Sequence, residues 1–168
     1  HIPTHHGSTL QWNFFQLWAE IRQGIGLAVQ QSAAPITSMG IDTWGVDFGL
    51  LDKNGTLIGN PVNYRDDRTD GMMEAAFQRM SRADIFARTG IQFMQLNSLY
   101  QLLAMSANHS PLFDIAETFL TVPDLFNYWL TGRAVCEFTN ATTTQCYNPI
   151  SRGWATDLLD AMEIPTHI

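Results

Sequence analysis

Three aspartates and three glycines fall within one mostly apolar stretch, Ser38-Met39-Gly40-Ile41-Asp42-Thr43-Trp44-Gly45-Val46-Asp47-Phe48-Gly49-Leu50-Leu51-Asp52. Glycines inside a strand give up side-chain packing and lose extra backbone entropy on folding, so something must come close to the backbone at Gly45 and Gly49. That something is a bulge, another chain segment or a ligand. Asp42 and Asp47, polar on an apolar strand, point the same way. Two readings stand side by side: an edge hairpin with a bulge, or the floor of a small-molecule site. Neither aspartate is read as a catalytic base; each fits a local hydrogen-bonding role.

Other polar groups have plainer readings. Arg65-Asp66-Asp67-Arg68 places four charges in a row, a solvated loop whose aspartates suit the N-terminus of a following helix. His1, His5 and His6 lie in a polar segment without cysteine or carboxylate partners, which favours solvated side chains over a metal site. Cys136 and Cys146 lack metal-ligand spacing and suit a reducing compartment better than a disulfide scaffold.

Composition narrows the class. The 168 residues are 45% hydrophobic and 15% charged, enough for one domain with its own core. A net charge of −7, nine Lys+Arg and no basic stripe argue against nucleic acid as a partner. No apolar run is long enough to span a bilayer, and no basic-then-apolar leader is visible, so the expected setting is cytoplasmic. The chain begins at His1 and not at Met, which is read as a piece of something longer.

The elements that must position these groups follow from periodicity and capping. Phe14, Leu17, Trp18, Ile21, Ile25 and Ala28 share a helical face, with Asn13 as N-cap. Gly24 and Gly26 on that helix suit close approach of a sheet. A strand is expected over Ile36–Ile41, continuing through Asp47 to Leu51. It turns at Asn54-Gly55, the dipeptide that best tolerates positive φ, and returns over Thr56–Ile58. Thr69 is read as the cap of a helix over Asp70–Met80, and Ser81-x-x-Asp84 as the start of a short helix closed by Gly90. Asn97 or Ser98 opens the next helix. Pro111–Ala116 reads as one helical turn, and Thr118–Val122 as a strand. Pro123-Asp124 opens a helix that Gly132 stops. Thr139–Thr144 is a capped turn, and Trp154–Met162 a final helix. Strands that look covered on both faces alternate with helices, which argues an α/β domain with a mixed sheet.

The segments GIDTWGVDFGLLDKNG, PVNYRDDRTDGMM, RTGIQFMQLNSLYQLLA, PDLFNYWLTG and EFTNATTTQ together resemble the FGGY family of carbohydrate kinases, in order and spacing, over nearly the whole chain. TWGVDF and YRDDRT resemble its rhamnulokinase branch. The resemblance implies a ribonuclease-H-like fold of the actin/hexokinase type, a mixed sheet flanked by helices and incomplete at both ends. Residues 1–168 would be part of the N-terminal, sugar-binding domain, with the nucleotide-binding second domain absent. The implied reaction moves the γ-phosphoryl group of ATP, with Mg²⁺, to a small-molecule sugar; for that branch, to the 1-hydroxyl of L-rhamnulose.

Carried over residue by residue, Gly45 matches a glycine whose backbone lies against bound sugar. Trp44 would offer an apolar ring face to the methyl group of a deoxysugar. Tyr64, Asp66 and Arg68 match an aromatic-x-Asp-x-Arg pattern beside the pocket, and Gln95 and Asn97 border it. A lysine common in the family near Gln101 is missing. The phosphate loop would precede His1, and the aspartate acting as base would follow Ile168. The resemblance thus puts no catalytic residue in the chain and implies that it is inactive alone. Rival readings are a kinase for another ketose (L-fuculose or xylulose), a non-catalytic sugar-binding module, and a ribonuclease-H-type nuclease using Asp42, Asp47 and Asp66. The acidic balance disfavours the last.

Overall fold

β1 (Thr4–His6) and β2 (Thr9–Gln11) pair antiparallel around a turn at Gly7, whose φ is +64°. The structure, a computed structural model, describes residues 2–168, so His1 of the expected histidine group lies outside it. His5 and His6 are exposed on β1. This hairpin is not visible as a periodic pattern. It is held from afar: the amide of Asn63 donates to the Leu10 carbonyl at 2.8 Å, and that of Trp12 to the Pro61 carbonyl at 2.9 Å.

α1 (Phe14–Gln31) begins as expected at Asn13, whose side chain accepts the Gln16 amide at 3.2 Å. Its N-terminal half does the packing. Phe14 is fully buried, while Leu17, Trp18 and Ile21 are half-buried against the same cluster. A Cβ on Gly24 or Gly26 would meet nothing within 4 Å, so no sheet approaches there.

The expected strand from Ile36 is corrected. Residues 32–47 form no strand, and the ladder is confined to β3 (Phe48–Leu51). Strand-like composition needs a partner to become a strand, and residues 36–41 have no ladder partner among the described residues. The hairpin turn does form: Asp52 caps the Asn54 and Thr56 amides, and Leu57 bridges back to Leu51.

Beyond it, Asp67–Thr69 makes a 3-10 turn. α2 (Met72–Arg79) then starts at left-handed Gly71, not at Thr69. α3 (Arg82–Thr89) starts at Ser81 and ends at Gly90, φ +67°, as its capping residues require. α4 (Ser98–Ala107), a 3-10 turn at Pro111–Asp114, β4 (Thr118–Thr121) and α5 (Val122–Thr131) follow close to expectation, with Gly132 closing α5. α6 (Phe138–Thr143) is capped by Glu137, which accepts the Thr139 and Asn140 amides. β5 (Tyr147–Asn148) and β6 (Gly153–Trp154) pair, and α7 (Thr156–Ala161) closes a helix expected to be longer.

The central ribbon is β3 paired antiparallel with β4, with Phe48 opposite Thr121 and Leu51 opposite Thr118. Its residues alternate between two cores. Phe48, Leu50 and Phe119 join one cluster with α2, α3, α4 and α7, including Ala76, Ile85, Leu103 and Leu158. Leu51 and Leu120 join the other with Phe14 of α1 and Leu125 and Phe126 of α5. Gly49 permits this closeness: a Cβ there would stand 2.8 Å from methyl groups of Leu125 and Leu57. The result is an α/β domain with both faces of the ribbon covered. Among the described residues the strands form antiparallel pairs.

Candidate functional site

The segment just before β3 makes a sharp, polar turn. Val46 has φ +71°, a left-handed conformation that a β-branched residue adopts only when its surroundings impose it. The Asp47 amide closes the turn onto the Gly45 carbonyl at 2.9 Å, and the Asp47 carbonyl accepts the Val122 amide at 3.1 Å. The Asp47 side chain is fully buried. One oxygen accepts the indole N–H of Trp12 at 2.6 Å and that of Trp44 at 2.9 Å; the other accepts the Gln101 amide at 3.3 Å. The two indole rings lie 4.5 Å apart, centre to centre. Burial pushes the Asp47 carboxyl above its ordinary value, and the Trp12, Trp44 and Gln101 hydrogen bonds hold it partly down.

Gln101, on α4 and fully buried, is the junction. Its amide nitrogen donates to the Val46 carbonyl at 3.1 Å and to the Leu96 carbonyl at 2.9 Å, besides Asp47. Its oxygen accepts the Arg68 guanidinium at 2.7 Å. Burial draws the Arg68 pKa down to about 10, opposed by the charges of Asp66 and Asp47. Asp66 is buried and engaged with backbone: its two oxygens accept the amides of Leu10 and Arg68.

The expected site residues therefore do not line one cavity. Trp44 and Gly45 wall a cleft of ≈ 310 Å³ together with Asp42, Asn127, Asn140 and Thr143. A Cβ on Gly45 would point toward Thr143 Oγ1 at 3.4 Å, an ordinary contact, so the fold does not require glycine there. Tyr64, Asp66 and Gln95 border a second hollow of ≈ 420 Å³, where Gln95 donates to Asp70 at 2.6 Å. Arg68 faces a third, of ≈ 340 Å³, across Asp66 from the second. Asn97 lines none of these three; it is buried and donates to the Gln92 carbonyl and the Gln145 side chain. Asp47, Gln101 and Arg68 connect the first cleft to the third.

Asp42, Asp47 and Asp66 do not converge: Asp42 is exposed at the cleft, Asp47 lies under two indoles, and Asp66 caps a turn. Among the described residues, no group of three His, Cys, Asp or Glu side chains is placed to hold a metal ion. The three aspartates that the nuclease reading needs are therefore not brought together. Trp12, Ser98 and Gln101 were not anticipated at the site. The position of the missing lysine near Gln101 was the available signal for the last.

Comparisons with known proteins agree with this architecture. Residues 1–168 match the FGGY family of carbohydrate kinases, N-terminal domain. The chain is 45% identical over 151 residues to the rhamnulokinase of Oceanobacillus iheyensis, covering 90% of this chain and 32% of that protein. It is 47% identical over 154 residues to the rhamnulokinase of an Enterobacter species, covering 92% and 31%. The chain thus spans about a third of the length of these curated relatives. Among solved structures, a ligand-bound xylulose kinase from Lactobacillus acidophilus superposes with a TM-score of 0.87 at 18% identity, over 99% of this chain and 34% of that one. A xylulose kinase from Rhodospirillum rubrum gives 0.82 at 20%, over 99% and 35%. These share the ribonuclease-H-like, actin-type fold expected from the sequence.

Proposed function

Because the chain belongs to the FGGY family of carbohydrate kinases, we propose that it is the sugar-binding part of a kinase that phosphorylates L-rhamnulose on its 1-hydroxyl, using ATP and Mg²⁺. The observation that carries the reading is the cleft beside Trp44 and Gly45. It pairs an aromatic wall and bare backbone with the side chains of Asp42, Asn140 and Thr143. Its ≈ 310 Å³ lies at the small end of small-molecule sites, as a monosaccharide requires. The choice of L-rhamnulose rests on the relatives named rhamnulokinase, at 42% to 47% identity.

In this reading Trp44 and Gly45 touch the sugar. Tyr64 and Gln95 line the separate second hollow and do not touch a sugar held in this cleft. Asp66, Arg68 and Asn97 act through the backbone and side chains they hold. The residues around the cleft do not fit a triphosphate: the charged groups there, Asp42, Asp124 and Glu137, are all acidic. ATP and Mg²⁺ are accordingly proposed for the whole kinase. We place that kinase in the cytoplasm; among the described residues no helix is long and apolar enough to cross a membrane.

The test is ADP release by the full-length protein with ATP, Mg²⁺ and a panel of L-rhamnulose, L-fuculose and xylulose. Preference for L-rhamnulose is the expected result. Preference for another ketose moves the substrate within the class, and sugar binding without ADP release makes the protein a binding module.

A further inference from the structure

The left-handed turn at Val46 is held from α4. Ser98 Oγ donates to the Val46 carbonyl at 2.7 Å, and Gln101 Nε2 donates to the same carbonyl at 3.1 Å. Residues three apart on a helix face the same way, so both donors reach the carbonyl from one side. The orientation of the Gln101 amide is fixed by its partners. Arg68 has only donors, so the oxygen must face it. The Val46 and Leu96 carbonyls and the Asp47 carboxylate have only acceptors in this state, so the nitrogen must face them. Nothing in valine favours φ +71°; the Asp47 amide closes the turn, and the two donors from α4 hold its carbonyl, so their loss shifts the balance toward ordinary extended backbone. Such a change would turn the Gly45 backbone and the Trp44 ring, both walls of the cleft.

We propose that Gln101 and Ser98 are positioning residues: together they clasp the Val46 carbonyl and so hold Trp44 and Gly45 in the geometry that binds sugar. This rests on the reading of that cleft as the sugar site. Neither residue lines the cleft, so their effect passes through the turn.

Steady-state kinetics of the full-length protein with L-rhamnulose test it. Gln101→Met keeps the length of the side chain and removes its hydrogen bonds. The sugar KM should rise about tenfold, with the ATP KM unchanged. Ser98→Ala, which deletes one atom, should raise the sugar KM by a smaller factor and carries the comparison should Gln101→Met not fold. Val46→Gly relieves the strain and should restore the sugar KM in the Ser98→Ala background, where the lost bond is the one to the Val46 carbonyl, a rescue that a packing defect in α4 would not show. Turnover by the unmodified protein with an unchanged sugar KM in both variants overturns the inference alone. Failure of Val46→Gly to rescue also overturns it. No sugar turnover by the unmodified protein overturns the functional reading and the inference with it.

Discussion

The phenol of Tyr128 donates a 3.2 Å hydrogen bond to the carbonyl of Gly55 and fills the space where a Cβ on that glycine would stand. It ties the tip of the β3 hairpin to α5. Gly55 also has φ +75°, which L side chains rarely adopt. Gly55→Ala should therefore destabilise the protein by about 1–3 kcal/mol in a urea titration. Gly59→Ala, where a Cβ meets nothing within 4 Å, is the control and should stay within about 0.5 kcal/mol.

Phe14 anchors α1. It is fully buried and stacks on Phe126 with ring centres 4.4 Å apart. Phe14→Ala should cost about 3–5 kcal/mol, and Leu17→Ala clearly less, because Leu17 is only half-buried. Equal losses in a denaturant titration would mean that α1 packs along its whole length.

Gly45→Val separates binding from folding. A Cβ at Gly45 meets only ordinary contacts and the position borders an open cleft, so thermal unfolding should change little. In the full-length protein the sugar KM should rise with the ATP KM unchanged. A large stability loss with normal sugar kinetics would return this glycine to a purely structural role.

Asp47 gives a stability term of unusual sign. Its folded pKa lies above the ordinary 3.8, so the folded state holds the proton more tightly than the unfolded chain. The ionised group is therefore a liability near neutrality, eased as the pH falls toward 3.8. Exposed Asp52, Glu137 and Asp157 have lowered pKa values and lose stability on acidification, but they cancel when the protein is compared with Asp47→Asn. The unmodified protein should gain on that variant between neutral and mildly acidic pH in urea titrations. A constant difference would show that the network of Trp12, Trp44, Gln101 and Arg68 fully compensates the buried charge.

The cysteines should be inert while the protein is folded. Burial pushes both thiols up to about 12. Little thiolate then forms at pH 8, and alkylation by iodoacetamide should be slow until denaturant is added. Fast labelling of native protein, located by mass spectrometry, would contradict this burial.

Helix ends were legible because their chemistry is local. Asn13, Ser81, Gly90 and Gly132 each act within a few residues of themselves. The strand over 36–41 was misread because strand composition carries no information on whether a partner is present. The helix start expected at Thr69 is displaced to Gly71 because Asp66 and Asp67 close a 3-10 turn before α2 begins. At the site, the glycines at 45 and 49 read alike in the sequence, but close approach is found only at Gly49, against methyl groups of Leu125 and Leu57; Gly45 meets ordinary contacts at the wall of a cleft. The Trp12–Asp47 and Arg68–Gln101 bonds join residues far apart in sequence. No local pattern encodes them. Gln101 in particular looks like an ordinary helix residue until its four partners are assembled around it.

The β3–β4 ribbon has a kinetic consequence. Phe48 pairs with Thr121, so the strand that separates the two cores joins distant parts of the chain, and neither core has its wall until they meet. Helices such as α3 can flicker early on local capping alone, but the loop between the strands must close before most apolar burial is rewarded. Folding should accordingly pass one late barrier, with both cores gained and lost together. Truncations at Leu50 and Leu120, on opposite faces of the ribbon, should slow refolding alike in stopped-flow measurements.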